Sequence, residues 1–201
     1  MAKLPYGFYR SEHVLDLAVR LIGKQLFTCI NGLVTGGTIV ETEAYHGVSD
    51  KASHAYGGRL TGRTQTMYEA GGVSYVYLCY GIHHLFNVVT GPEFTPHAVL
   101  IRGLEPVVGI DVMLERRNMV AVKPNLTAGP GALAKALGID RSFNAKDLQG
   151  EEIWIEDNGI VIDPLDIVAG PRIGVAYAED HALLPWRYYV KGNKFVSKPN
   201  R

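Results

Sequence analysis

The dipeptide Asn31-Gly32 stands between two apolar, β-branched runs, Gln25–Ile30 and Leu33–Tyr45. Asn-Gly suits the consecutive positive-φ positions of a tight hairpin turn, so the runs are expected to fold back as an antiparallel pair. The second arm carries Gly36-Gly37, an expected kink, and ends in TIVETEAYHG at 38–47. There Glu41, Glu43 and Tyr45 alternate and project from one strand face, with Val40, Thr42 and Ala44 on the other. Two carboxylates and a phenol on one face form either a solvated surface or a catalytic wall.

The rest of the chain reads as more strands with few helices. Ser11 can cap a helix reaching about Ile22, with Val14, Leu17, Ala18 and Leu21 on one face and Gly23 as its stop. Residues 46–72 form a polar loop of a length usually reserved for function or disorder. Aromatic strands follow at 73–80 (VSYVYLCY) and 84–89 (HLFNVV), turning at Gly81. AVLIRGL at 98–104 is another strand, after which Glu105-Pro106 is expected to open a helix reaching Arg117. A further helix is expected from Pro130 to Gly138. Short strands then read at 152–156 (EIWIE), 172–177 (RIGVAY), 187–190 (RYYV) and 194–197 (KFVS), with Gly192-Asn193 as the last turn. Hairpin-linked strands and few helices predict an α+β fold. The expectation is a single domain over 1–201 with a curved, largely antiparallel sheet and a few peripheral helices.

Composition narrows the function classes. At 47% hydrophobic, the chain can fill a proper core, yet no run approaches the roughly 18 apolar residues of a membrane span. The N-terminal MAKLPYGFYR has no apolar signal region, and Cys29 and Cys79 sit in apolar runs, so a cytoplasmic protein with buried, reduced cysteines is expected. Net charge is zero, but bases cluster without acids. Arg187, Lys191, Lys194, Lys198 and Arg201 form one group and Lys51, Arg59 and Arg63 another. Each is either a phosphate footprint or a solvated segment.

Several chemistries drop out. Of seven histidines, His46 and His54 are eight apart and His83-His84 are adjacent, and no HExxH or CxxC completes a ligand set. No metal and no cofactor is expected. Gly129-Pro130-Gly131 lacks the following Lys-Ser/Thr of a phosphate loop, and no GxSxG elbow appears. Carboxylate chemistry remains. A glutamate of ordinary pKa near ~4.3 is ionised at neutral pH and can take a proton from water. Arg102, on a strand that could pair nearby, would keep it ionised and help hold that water. Tyr75 and Tyr77 share a face, with core packing the plainer role for Tyr75. Tyr80 ends its strand beside the permissive Gly81, where an exposed stacking or wedge role competes with packing. Flat aromatic surfaces near bases suit a nucleobase.

The stretches IVETEAYHG with ASHAYGGR, YVYLCYG followed by Asn87, AVLIRGLEP, AGPGALAKALGI, GPRIGVAYA and PWRYYVKGN cover nearly the whole chain. In that order they closely resemble the alkyladenine (3-methyladenine) DNA glycosylase family. The resemblance implies a monofunctional bacterial enzyme, monomeric and nucleoid-associated when acting. It would flip damaged purines from double-stranded DNA and hydrolyse the N-glycosidic bond. It further implies Glu43 as general base, with Arg102 and the main-chain carbonyl of Ile173 holding the attacking water. Tyr45, His54 and Tyr77 would sandwich and orient the flipped base, Asn87 would stand at its edge, and Tyr80 would be the intercalating wedge. Glu41 becomes a structural partner, salt-bridged or solvent-facing.

Overall fold

The computed structural model describes residues 2–198. Arg201 of the C-terminal basic group therefore lies outside the described residues. In chain order the elements are β1 (Ala2–Lys3), α1 (Tyr6–Tyr9), α2 (Val14–Leu21), β2 (Gln25–Ile30) and β3 (Leu33–Tyr45). After the long loop come β4 (Ser74–Cys79), β5 (His83–Thr90), β6 (His97–Val108), α3 (Ile110–Arg116) and α4 (Pro130–Leu137). β7 (Ile153–Asp157), β8 (Ile167–Gly170) and β9 (Arg187–Val190) complete the sheet. No helix among the described residues is long and apolar enough to cross a membrane.

Every strand pairing is antiparallel, in the order β1-β7-β2-β3-β6-β5-β4, with β9 on β3 and β8 on β9. β3 organises the molecule. One of its edges carries β6 from Gly36 to Tyr45, while the other is shared, β2 taking residues 33–38 and β9 taking Glu41–Glu43. A strand with two successive neighbours on one edge must bend between them, so the sheet curls. The register against β6 shifts between Gly36 and Gly37, as the glycine pair predicts, and twice more around Glu41. α2 and α4 cover one side, their apolar faces joining Ile39, Phe86, Val99 and Ile101 in one core. This is the expected α+β architecture in a single domain.

The structure differs from the sequence reading in local detail, and β1, α1 and β8 are elements that reading did not contain. α2 begins at Val14, because Ser11 Oγ accepts from the His13 amide and holds a turn ahead of the helix. β6 runs on to Val108 rather than yielding to a helix at Glu105, and α3 starts only after Gly109 (φ 69°). Pro106 is tolerated in that strand because it sits at the register shift opposite Gly37. Residues 172–177 are not a strand, since Arg172 is tied down by a buried carboxylate and Gly174 turns the chain at φ 78°. Residues 194–197 turn back on Asn193 instead of extending. Cys29 and Cys79 are free but only half-buried, because each lies beside a hairpin tip.

Candidate active site

Register brings the expected residues together. Tyr75, Asn87, Leu100, Glu43 and Arg187 are successive Cα partners across β4, β5, β6, β3 and β9, so they form one transverse row. Directly paired residues share a sheet face, which puts Glu43, Asn87 and Tyr75 on the same side, and Tyr77 with them by alternation. Arg102 is the extra residue of a β6 bulge, between the partners of Thr42 and Glu41. Bulges of this kind re-aim a side chain. Here the guanidinium lies between the two glutamates, its Nε 3.1 Å from Glu41 Oε1 and its Nη1 3.4 Å from Glu43 Oε1.

Both carboxylates are fully buried, but they are used differently. Glu41 is saturated. Its Oε1 accepts from Arg102 Nε, Arg187 Nε (2.7 Å) and Ser197 Oγ (2.8 Å), and its Oε2 accepts from the Ser197 amide (2.7 Å). Glu43 keeps capacity. The Ile173 amide reaches Oε1 at 2.7 Å and the Tyr45 hydroxyl reaches Oε2 at 2.8 Å, with Arg102 the third donor nearby. A carboxylate offers about four lone-pair sites, so one remains for a further donor such as water. The Ile173 contact is through its N–H, whereas the sequence reading named the carbonyl of the same residue. Burial, with Glu43 adding to it, pushes the Tyr45 phenol well above its ordinary value and keeps it a donor.

Aromatic rings surround this carboxylate. The His54 ring meets Tyr77 edge-on at 4.6 Å, and its Nδ1 lies 2.8 Å from the Tyr75 hydroxyl. Burial first, and the Arg63 charge second, lower His54 to about 4, so the imidazole is neutral at physiological pH. Asn87 is buried and its Nδ2 donates to the Tyr75 carbonyl at 3.0 Å. Tyr80 stands apart from them all. It is 87% exposed at the β4–β5 tip and holds φ 51°, a conformation that costs a bulky residue about 1 kcal/mol or more. A cleft of about 720 Å³ lies against His54, lined also by Lys51, Arg59, Arg63, Tyr177 and Glu179. A more apolar cleft of about 510 Å³, between α2 and residues 157–167, contains none of this chemistry.

The family model for Methylpurine-DNA glycosylase (MPG) matches residues 7–194. Relatives named "Putative 3-methyladenine DNA glycosylase" in Bacillus cereus (strain G9842) and Bacillus anthracis (strain A0248) are each 46% identical to this chain. Both alignments run over 202 residues, 96% of this chain and 98% of the relative. The chain belongs to the methylpurine-DNA glycosylase family. It is thus a hydrolase of N-glycosyl bonds in DNA and a base-excision repair enzyme.

The glycosylase also relies on residues that sequence reasoning left without a role. Arg187 was legible only as part of a basic tail, yet it is a buried partner of Glu41. A charge inside the apolar strand RYYV was the available signal. Asp50 and Arg172 form a buried pair, with Arg172 Nη2 2.9 Å from Asp50 Oδ1 and Nη1 donating to the Ala44 carbonyl. Burial alone would raise Asp50, but the hydrogen bonds and charge of Arg172 outweigh it and hold the carboxyl below its usual range. The Arg172 guanidinium lies 4.9 Å from the Tyr45 ring and 5.0 Å from Trp186. It therefore backs Tyr45 and anchors the segment that delivers the Ile173 amide to Glu43.

Proposed function

We propose that Glu43 is the general base that activates water against a damaged purine nucleotide flipped out of duplex DNA. The observation that carries this reading is the unsaturated state of Glu43 beside the saturated Glu41. Water donates its proton to Glu43 and its oxygen bonds to C1′ of the sugar. The C1′–N9 bond breaks with its electron pair going to the base. Positive charge developing on the sugar is stabilised by the same carboxylate. Arg102 and the main chain of Ile173 orient the water, and one carboxylate suffices for an alkylated purine that is already a cationic leaving group. Ordinary glycoside hydrolysis, by contrast, uses two.

Tyr45, His54 and Tyr77 sandwich and orient the flipped base, and Asn87 stands at its edge. Tyr80 fills the gap left in the duplex; its exposure and its place at a hairpin tip support that role. The substrate class is 3-methyladenine, 7-methylguanine, hypoxanthine and ethenoadenine, excised by a monomer without strand cleavage. Base release from duplexes that each carry one defined lesion tests the reading. Release of at least one of these purines, with no borohydride-trapped adduct, is expected. An enzyme that releases none of them, or that forms a trapped Schiff base, would overturn it.

A further inference from the structure

The Tyr77 ring already has a visitor. Arg63 reaches out of the long polar loop so that its Cζ lies 5.0 Å from the Tyr77 centroid, with Nη2 3.3 Å from His54 Nε2. A guanidinium can only donate, so this contact makes Nε2 the acceptor and leaves the imidazole proton on Nδ1, facing the Tyr75 hydroxyl. Two other cations near the site are neutralised, while Arg59, which lines the same cleft, has no carboxylate partner among the described residues. Arg172, behind Tyr45, is paired with Asp50, and Lys51 reaches Glu179 at 2.7 Å and Asp180 at 2.8 Å. Among the described residues Arg63 has no carboxylate partner.

We propose that Arg63 is a specificity residue of the base pocket, one that favours neutral purines with free O6 and N7 acceptors over cationic N-alkylated purines. The inference rests on the base-flipping reading above. A purine that stacks on Tyr77 must share that ring with the guanidinium or push it aside, and in either case it meets an uncompensated positive charge. Hypoxanthine presents O6 and N7, the acceptor pair that a guanidinium binds bidentately on guanine. In 7-methylguanine the same edge has lost N7 to the methyl group and carries a full positive charge. Even with the dielectric of water, two unit charges ~5 Å apart repel enough to change an equilibrium by about fourfold.

The test is single-turnover excision of hypoxanthine and of 7-methylguanine, in one sequence context at low salt, by wild type, Arg63→Gln and Arg63→Lys. Gln keeps a donor for His54 but removes the charge; Lys keeps the charge. The hypoxanthine to 7-methylguanine rate ratio should fall by about fourfold or more in Arg63→Gln and stay nearer the wild-type value in Arg63→Lys. An equal loss on both lesions marks Arg63 as a phosphate contact and overturns the proposal, as does an unchanged ratio. Wild-type enzyme that releases neither base overturns this inference, and the base-flipping reading falls with it only if 3-methyladenine and ethenoadenine are not released either.

Discussion

Two glutamates two residues apart show how little side-chain identity says without its donors. Glu41 and Glu43 share a strand face and are both fully buried, but one balances two guanidiniums while the other keeps an open acceptor site. Removing the Glu41 charge leaves Arg102 and Arg187 buried with too little compensation, a change that typically costs about 3–5 kcal/mol. Glu41→Gln should therefore lower the urea midpoint strongly at unchanged m-value, and a loss under about 1 kcal/mol would show that the hub contributes little. Tyr80→Ala is the converse case. The ring is exposed, so stability should stay within about 0.5 kcal/mol. Flipping of ethenoadenine, read by its fluorescence, should weaken, least at already mispaired lesions. An unchanged flipping equilibrium would remove the wedge role. At this scale the alternation of Glu41, Glu43 and Tyr45 was plain in the sequence. The partnership of Glu41 with Arg187 and Ser197 was not, because those residues lie about 150 positions away and meet it only through the β3–β9 pairing.

Among the elements, the β3–β6 ladder decides the site. Its bulges insert Arg102 between the carboxylates, and Gly103 beside it leaves room for Glu41. A Cβ on Gly103 would lie 2.7 Å from the Phe195 carbonyl and 3.1 Å from Glu41 Oε2. Gly103→Ala should thus destabilise the fold by about 1–3 kcal/mol and lower excision as well. Wild-type stability in that variant would mean that the C-terminal segment moves aside without cost. The hairpin, the kink at Gly36-Gly37 and the Pro130–Leu137 helix were legible because local residues specify them. The end of β6 was not. Glu105-Pro106 is a helix-opening pair by local preference, and pairing with Gly37 and Thr38 overrides it. In the same way, Arg172 follows the buried Asp50 rather than the strand pattern of its neighbours.

For the whole molecule, burial of two histidines couples stability to pH. Burial, aided by Arg63 and by His46 respectively, lowers His54 and His97 to about 4, against an ordinary value of 6.5. Between those values the unfolded chain binds protons that the folded chain refuses. The stabilisation they give is whole above pH 6.5, falls as pH drops toward about 4, and is lost below it. The midpoint of thermal unfolding should decline across that window, and the double variant His54→Gln, His97→Gln should show a flatter profile. Parallel profiles would assign the decline to other groups. Stability and catalysis then separate most cleanly at Glu43, whose replacement by Gln keeps shape and burial while removing the base. Single-turnover excision of hypoxanthine from duplex DNA, measured for wild type and Glu43→Gln alongside binding to the same lesion, is the most direct measurement. A rate loss of about 10²-fold or more with lesion binding retained is expected. Excision by Glu43→Gln at near wild-type rate would contradict the assignment of Glu43 as the base.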